Sequence, residues 1–443
     1  MSSNRNTYSL ADVTTLITDG KHGDCKNCKD SGYFFLSVKN IKNERLIYKD
    51  ARQIERVDFE ETNKRTNLQP GDILFTNTGT IGRMAIAPNN ELTYKTTFQK
   101  SVAIIKPRKE IVFPQYLFYL LKRESKRLCV YAEGTTQKNL LLKDLRAFSL
   151  GEIPKKSDQK AIAHILGTLD DKIELNRKTN ETLEGIAKAL FKSWFIDFDP
   201  VRAKLEGRST GLPDEISELF PDSFEESELG EIPSGWSIHN LTDIFDFLEG
   251  PGIRNWQYTN DQTGVRFINI RCIQNGDLNV ENANRITEKE AFGKYKHFAL
   301  VENDIVVSSS GSLGKYAVVR SDHLPLNLNT SVIRFRPKKD ISTFPFLLGF
   351  VQTQLQYELE IRASGSVQRN FGPMHLRQID LLVPPFDLLK MHETYIQNLL
   401  KKRILNLSEN KVLMDLRNAL LPKLISGKQR VSDAEKILEE GGI

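Results

Sequence analysis

Nowhere in these 443 residues does an apolar run reach the ~18 needed to cross a bilayer, so no membrane-spanning helix is expected. The first residues, MSSNRNTYSL, lack the charged start and apolar core of a secretory signal. Cysteine is scarce: Cys25, Cys28, Cys129 and Cys272 are too few and too scattered for a disulfide framework, which fits a reducing compartment. The expectation is a soluble, cytoplasmic protein with no membrane partner.

Catalytic and cofactor motifs are missing as well. There is no GxGxxG, and GSLGK at Gly311 to Lys315 is too short to cradle a phosphate as a Walker loop does. The run VPPF (Val383 to Phe386) puts a valine where an Asn-Pro-Pro-aromatic motif of amino-methyltransferases needs the Asn that holds the target amine. His22, Cys25 and Cys28 form HGDCKNC, but no second Cys pair follows at finger spacing, so the stretch reads as a surface loop and metal binding there stays open. The seven histidines and the acidic residues form no paired acid–base constellation. The chain reads as non-catalytic, with no cofactor of its own.

What is present is a duplication. QPGDILFTNTGTIGR (Gln69 to Arg83) lies opposite VENDIVVSSSGSLGK (Val301 to Lys315), so that Asp72, Gly79, Gly82 and Arg83 match Asp304, Gly311, Gly314 and Lys315 at one offset of 232. YFFLSVKNIKNERL (from Tyr33) matches VRFINIRCIQNGDL (from Val265) at the same offset. GTTQKNL (Gly134 to Leu140) matches GSVQRNF (Gly365 to Phe371) in residue type, and KDLRAFSLGEIP matches MHLRQIDLLVPP. Four blocks in one order are one ancestral unit present twice, and a period this long means two domains, not a solenoid. The 39% hydrophobic content suffices for two or three cores.

Each copy reads as an α+β body. Val102 to Ile105 and Val332 to Phe335 are β-branched strands closed by basic Pro segments, and GDILF and NDIVV are strands entering Gly-rich turns. Helices are expected over Pro114 to Leu128 and Phe344 to Arg362. Each body is followed by a long helix. Leu166, Leu169, Ile173, Asn176, Asn180, Leu183, Ala187, Leu190 and Trp194 step by threes and fours, a coiled-coil period, and the second copy supplies Leu400, Ile404, Leu407, Met414, Leu421 and Ile425 before Gly427. Asn176 and Asn180 interrupt the first seam, as register-fixing polar residues do. At 1.5 Å per residue, two helices of ~40 residues are ~60 Å long and would serve as a spacer.

Paired, diverged bodies suit two unlike DNA half-sites, and the charge of +5 permits a polyanion. The heptapeptides offer Gln137, Asn139, Gln368 and Asn370 for adenine, and Lys138 and Arg369 for phosphate or guanine. The same residues are equally suited to capping and holding the fold, and both readings stand. Arg83 and Lys315 in the turns, with Lys39 and Arg271 in the matched strand block, are candidate phosphate contacts.

These segments resemble a known family. KSDQKAIAHILGTLDDKIELNRKTNETLEGIAKALFKSWFIDF (Lys156 to Phe198), LGEIPSGWSIHNLTDI (Leu229 to Ile244) and KVLMDLRNALLPKLISGK (Lys411 to Lys428) resemble the DNA-specificity (S) subunits of type I restriction-modification systems over essentially the whole chain. The first copy begins at NTYSLADV without the opening Leu-Gly-Glu-Ile-Pro-x-Gly-Trp of the second. The resemblance implies two target recognition domains related by pseudo-two-fold symmetry and separated by two antiparallel coiled-coil helices. The expected divisions are 1–155 and 229–386 for the recognition domains, 156–198 and 387–426 for the central and distal helices, 199–228 for a linker and 427–443 for a tail. It implies that Leu166, Leu169, Ile173, Leu183 and Leu190 pair with Leu400, Ile404, Met414 and Leu421, and that Lys192, Trp194 and Phe195 meet a modification subunit. Implied partners are double-stranded DNA, two methyltransferase (M) subunits and restriction (R) subunits, with S-adenosylmethionine, ATP and Mg used by the partners to methylate adenine N6 and to cleave. A standalone bipartite DNA-binding regulator and an assembly adaptor are the alternatives.

Overall fold

The computed structural model describes residues 7–133, 138–274, 276–281, 283–363 and 370–442. It divides into two units, Met1–Glu174 with Asn410–Ile443, and Leu175–Glu409. Among the described residues no helix is long and apolar enough to cross a membrane.

In the first unit the strands Thr14–Asp19, Val102–Pro107, Ile73–Thr76 and Met84–Ile86 form, in that spatial order, an antiparallel sheet. Its apolar runs are nearly continuous because both faces are covered. Ile73, Phe75, Ala103 and Ile105 face a core shared with the helix Pro114–Val130, while Leu74, Val102 and Ile104 face a second core with Leu36, Ile41 and Phe98. Alternation with period two thus supplies two cores from one sheet. The second unit repeats this with Phe245–Glu249, Val332–Pro337, Ile305–Ser308 and Tyr316–Val318. Ile305, Val307, Ile333 and Phe335 take one side, and Val306, Ala317 and Val332 the other. A parallel strand pair also recurs, Phe34–Leu36 with Thr96–Phe98 and Val265–Ile268 with Leu326–Leu328.

The expected helix over Phe344 to Arg362 is two pieces, Phe344–Thr353 and Leu355–Arg362. At the break Thr353 Oγ1 donates to the Gly349 carbonyl at 2.6 Å, a back-bond of the kind that bends helices.

Lys156–Phe195 and Phe386–Ile425 are both helices of 40 residues. Their segments run antiparallel within each unit. In the first, Arg417 pairs with Asp170, and Asn410 Nδ2 donates to the Ile173 carbonyl at 3.3 Å. In the second, Asn176 donates to Glu409 at 2.7 Å and Asn406 to Asn180 at 2.9 Å, so the two seam asparagines are bonded across the helix pair. The helices also enter the cores of the bodies. Ile162, Leu166 and Leu169 join Leu413, Leu420, Leu421 and Leu424 in the first, and Phe191, Trp194 and Phe195 join Leu388 and Leu389 in the second.

Three expectations need correction. Met414 is 39% exposed, and Leu413 takes the buried position, because a straight helix drifts from a strict 3.5 repeat and these helices pack on bodies as well as on each other. Leu183, Leu190, Leu400 and Ile404 are half-buried, as is Ile173. The stretch 199–228 is no loose linker: it holds the helix Asp199–Leu205 and a hairpin strand, Phe224–Ser227, and buries Val201, Ile216 and Phe220 in the second unit's core. Nor is 427–443 a bare tail, since the helix Val431–Glu440 packs Ala434 and Leu438 into the first unit.

Candidate nucleic-acid interface

The site is built on the duplicated Gly-rich turn. In the first unit Thr76 Oγ1 donates to the Thr80 carbonyl at 2.6 Å and accepts the Arg83 N–H at 2.9 Å, while the Gly82 N–H reaches the Thr76 carbonyl at 3.0 Å. In the second, Ser308 Oγ donates to the Ser312 carbonyl and accepts the Lys315 N–H at 3.0 Å, and the Gly314 N–H reaches Ser308 at 3.0 Å. The sequence kept a β-hydroxyl here because it closes the turn from inside. Gly82 and Gly314 have φ of 92° and 76°, and side chains there would meet Cys129 Sγ at 3.1 Å or Gln356 Oε1 at 2.1 Å.

The matched aspartates hold the strands that lead into these turns. Asp72 accepts the Gln69 N–H at 2.8 Å and pairs with Lys106; Asp304 accepts the Val301 N–H at 2.8 Å and pairs with Arg336. Burial pushes the Asp72 carboxyl up, against the pull of Lys106, and the Asp304 carboxylate raises the Arg336 guanidinium. Both pins are structural.

The heptapeptides strap the turns from outside. Gln137, Gln368 and Arg369 lie outside the described residues. Asn139 is at the strap's centre: Thr78 Oγ1 donates to its Oδ1 at 2.8 Å, the Gly79 N–H donates to the Lys138 carbonyl at 3.0 Å, and the Leu140 N–H donates to the Asn77 carbonyl at 2.8 Å. Asn370 bridges Ser310, and the Phe371 N–H donates to Ser309 at 2.8 Å. Leu140 and Phe371 close the straps in the cores. With its Oδ1 bonded by Thr78, the observed part of Asn139 is to hold the strap to the turn.

The candidate cations surround these turns. Arg83 Nη1 comes within 3.5 Å of the Val38 carbonyl, beside Lys39, and Lys138 lies on the strap, so Lys39, Arg83 and Lys138 meet around one turn. In the second unit the turn faces Ile270, next to Arg271, with a Cβ on Gly311 3.9 Å from the Ile270 side chain; Lys315 follows the turn. All five cations are exposed, and none has an ion pair among the described residues. Neighbouring basic groups are engaged, as with Lys21 on Asp58 and Glu61. Unpaired cations gathered at a rigid turn suit phosphate.

On the helices the structure separates what the sequence grouped. Lys192 is exposed and pairs with Asp197 at 2.6 Å, but Trp194 and Phe195 are buried beneath Phe220 and Phe346 and do not form a docking surface. The ordered stretch 199–236 covers that helix end. The exposed apolar residues of the helices are others, notably Leu175 at 59% and Leu405 at 64%, which occupy the same position of the two 40-residue helices. Their recurrence at one offset, away from the seam, was the signal available in sequence. Beside the buried aromatics His392 packs 4.9 Å from Phe195, without a hydrogen-bond partner among the described residues, and burial pushes its pKa down to about 3.

Among the described residues no group of three or more His, Cys, Asp or Glu could hold a metal. Cys25 is in an apolar cluster with Phe35, Ile54 and Phe59, where burial raises its thiol pKa, and His22 pairs with Asp19 at 2.8 Å.

The type I restriction-modification DNA specificity domain matches residues 3–185 and 233–406. The HindI specificity subunit of Haemophilus influenzae is 26% identical, with 95% of this chain and 98% of that protein covered. The MjaIX specificity subunit of Methanocaldococcus jannaschii is 28% identical over 90% and 87%. The crystal structure of the type I S subunit from M. genitalium shares the fold at a TM-score of 0.54, with 16% identity over 96% of this chain and 97% of that one. Two domain matches covering most of the chain place it in the type I restriction-modification DNA specificity family, a family of DNA-recognition rather than catalytic domains.

Proposed function

We propose that the chain reads an asymmetric, bipartite duplex DNA site, one half per body, and directs adenine-N6 methylation and restriction by partner M and R subunits in the cytoplasm. The observation that carries this is the duplicated turn with exposed cations that have no ion pair among the described residues: Lys39, Arg83 and Lys138 in one body, Arg271 and Lys315 in the other. Phosphate contacts fix position, and the surfaces that differ between the copies read sequence. The two long helices set the spacing of the halves. Leu175 and Leu405, equivalent and exposed, suit two copies of one partner, the M subunits. S-adenosylmethionine, ATP and Mg belong to those partners.

Mapping of adenine methylation in cells expressing the chain with its neighbouring methyltransferase tests this. A split motif with unlike halves, present only with the chain, is expected. Unchanged methylation would favour a standalone DNA-binding regulator or an assembly adaptor.

A further inference from the structure

The loop after the first sheet strand shows different residues to solvent in the two bodies. Both loops begin at a glycine pressed on backbone: a Cβ on Gly20 would stand 1.9 Å from the Phe98 carbonyl oxygen, and one on Gly250 2.1 Å from that of Asn329. Both are also pinned by a matched acid. Asp58 accepts the Lys26 N–H, and Glu290, at the same offset of 232, accepts Gln257 Nε2 at 3.2 Å.

In the second unit the loop tip is the short helix Asn255–Gln257, held on both sides. Ile253 is buried with Val265 and Phe267, and its N–H donates to Asn329 Oδ1 at 3.1 Å. Gln257 is buried and donates to the Tyr295 hydroxyl at 2.8 Å. Between these anchors Trp256 is turned outward, 80% exposed, with Arg254 and Asn255 exposed beside it. Trp194 and Trp236 are both buried. The supporting segment that supplies Glu290 and Tyr295 also exposes Lys289, Lys294 and Lys296. A rigidly presented indole contributes nothing to packing where it stands, and with cations on its own and the adjoining segment its chemistry fits the bases and phosphates of a polyanion.

Resting on the bipartite reading above, we propose that Trp256 is a specificity-determining contact of the second body, making an apolar contact to a base step of its half-site while Arg254 and the nearby lysines meet phosphate. Between Gly20 and Gly32 the first body's loop holds no Phe, Tyr or Trp, so that half-site is read without an aromatic wedge.

The test uses the full chain assembled with its methyltransferase subunits and duplexes carrying the mapped site, intact or scrambled in one half. Wild-type complex that discriminates neither half would defeat the bipartite reading, whatever Trp256 does. Where wild type discriminates both, Trp256→Ala is expected to weaken binding by about tenfold or more and to abolish discrimination in one half alone, the half also weakened by Arg271→Ala with Lys315→Ala, whereas Trp256→Phe stays within about threefold. Bound cognate DNA should also shield the tryptophan fluorescence that Trp256→Phe removes from acrylamide quenching. Unchanged affinity and discrimination in Trp256→Ala would overturn the proposal. So would weakened assembly with the methyltransferase at unchanged DNA discrimination, which would make the tip a protein contact. If Trp256→Ala fails to assemble, the shielding measurement decides.

Discussion

The two bodies share a sheet, a turn and a strap, yet match in sequence only in short blocks, and apart from the exposed cations Lys39, Arg83, Arg271 and Lys315 most of what those blocks share faces inward. Asp72 and Asp304 bind backbone N–H groups; Thr76 and Ser308 close turns; Leu140 and Phe371 fill cores. Trp256, 80% exposed, stands in a loop whose first-body counterpart has no Phe, Tyr or Trp, where the fold does not need it. Duplication preserves what holds the body together and releases what it shows to a partner.

The largest effect should come from breaking what is shared. Asp304→Ala leaves Arg336 and the Val301 N–H without their carboxylate, and is expected to cost about 3–5 kcal/mol of the second unit's stability. Asp72→Ala should do the same to the first, each read as a separate shift in denaturant unfolding. Unequal losses would break the equivalence of the pins.

Next come Leu175→Asp and Leu405→Asp, which should each weaken assembly with a modification subunit by about 2 kcal/mol and leave thermal unfolding unchanged. Titrating the purified chain with that subunit measures it.

A difference between the cores gives a pH-dependent effect. His392 occupies the helix position at which the first unit has Ile162. With a folded pKa of about 3 against ~6.5 unfolded, neutral His392 contributes stability that is complete above pH ~6.5 and is lost as pH falls toward 3. His392→Ile should flatten that acid limb in the second unit alone, by urea melts from pH 7 to 4.

Smallest, Lys39→Ala with Arg83→Ala should lower the slope of log affinity against log salt by about 2, about 0.9 for each phosphate contact removed. Arg271→Ala with Lys315→Ala should match it, and a different slope would show that the two turns do not meet DNA alike.

The duplication, the α+β bodies, the Gly-rich turns and both long helices were legible in sequence because each rests on local pattern: β-branched runs, glycines at fixed spacing, a 3.5 period. What was not legible depends on contacts between distant segments. Trp194 looked like a surface anchor until Phe220 and His392 covered it, and Met414 fitted a seam that packing on the first body rotates toward Leu413. Asn139 offered both a contact to adenine and a part in the fold, and its bond from Thr78, a contact between distant segments, was not legible in sequence. Gly20 and Gly250 carried a readable signal that was overlooked, a matched glycine after each first strand.

The central claim is that each body reads its own half of one site. It is tested most directly by mapping adenine methylation directed by a chain whose second body, strand Phe245–Glu249 through helix Leu355–Arg362, is replaced by the corresponding stretch of the first, Thr14–Asp19 through Pro114–Val130. The account predicts a new split motif whose two halves are the same sequence. Methylation of the original motif with two unlike halves would contradict it.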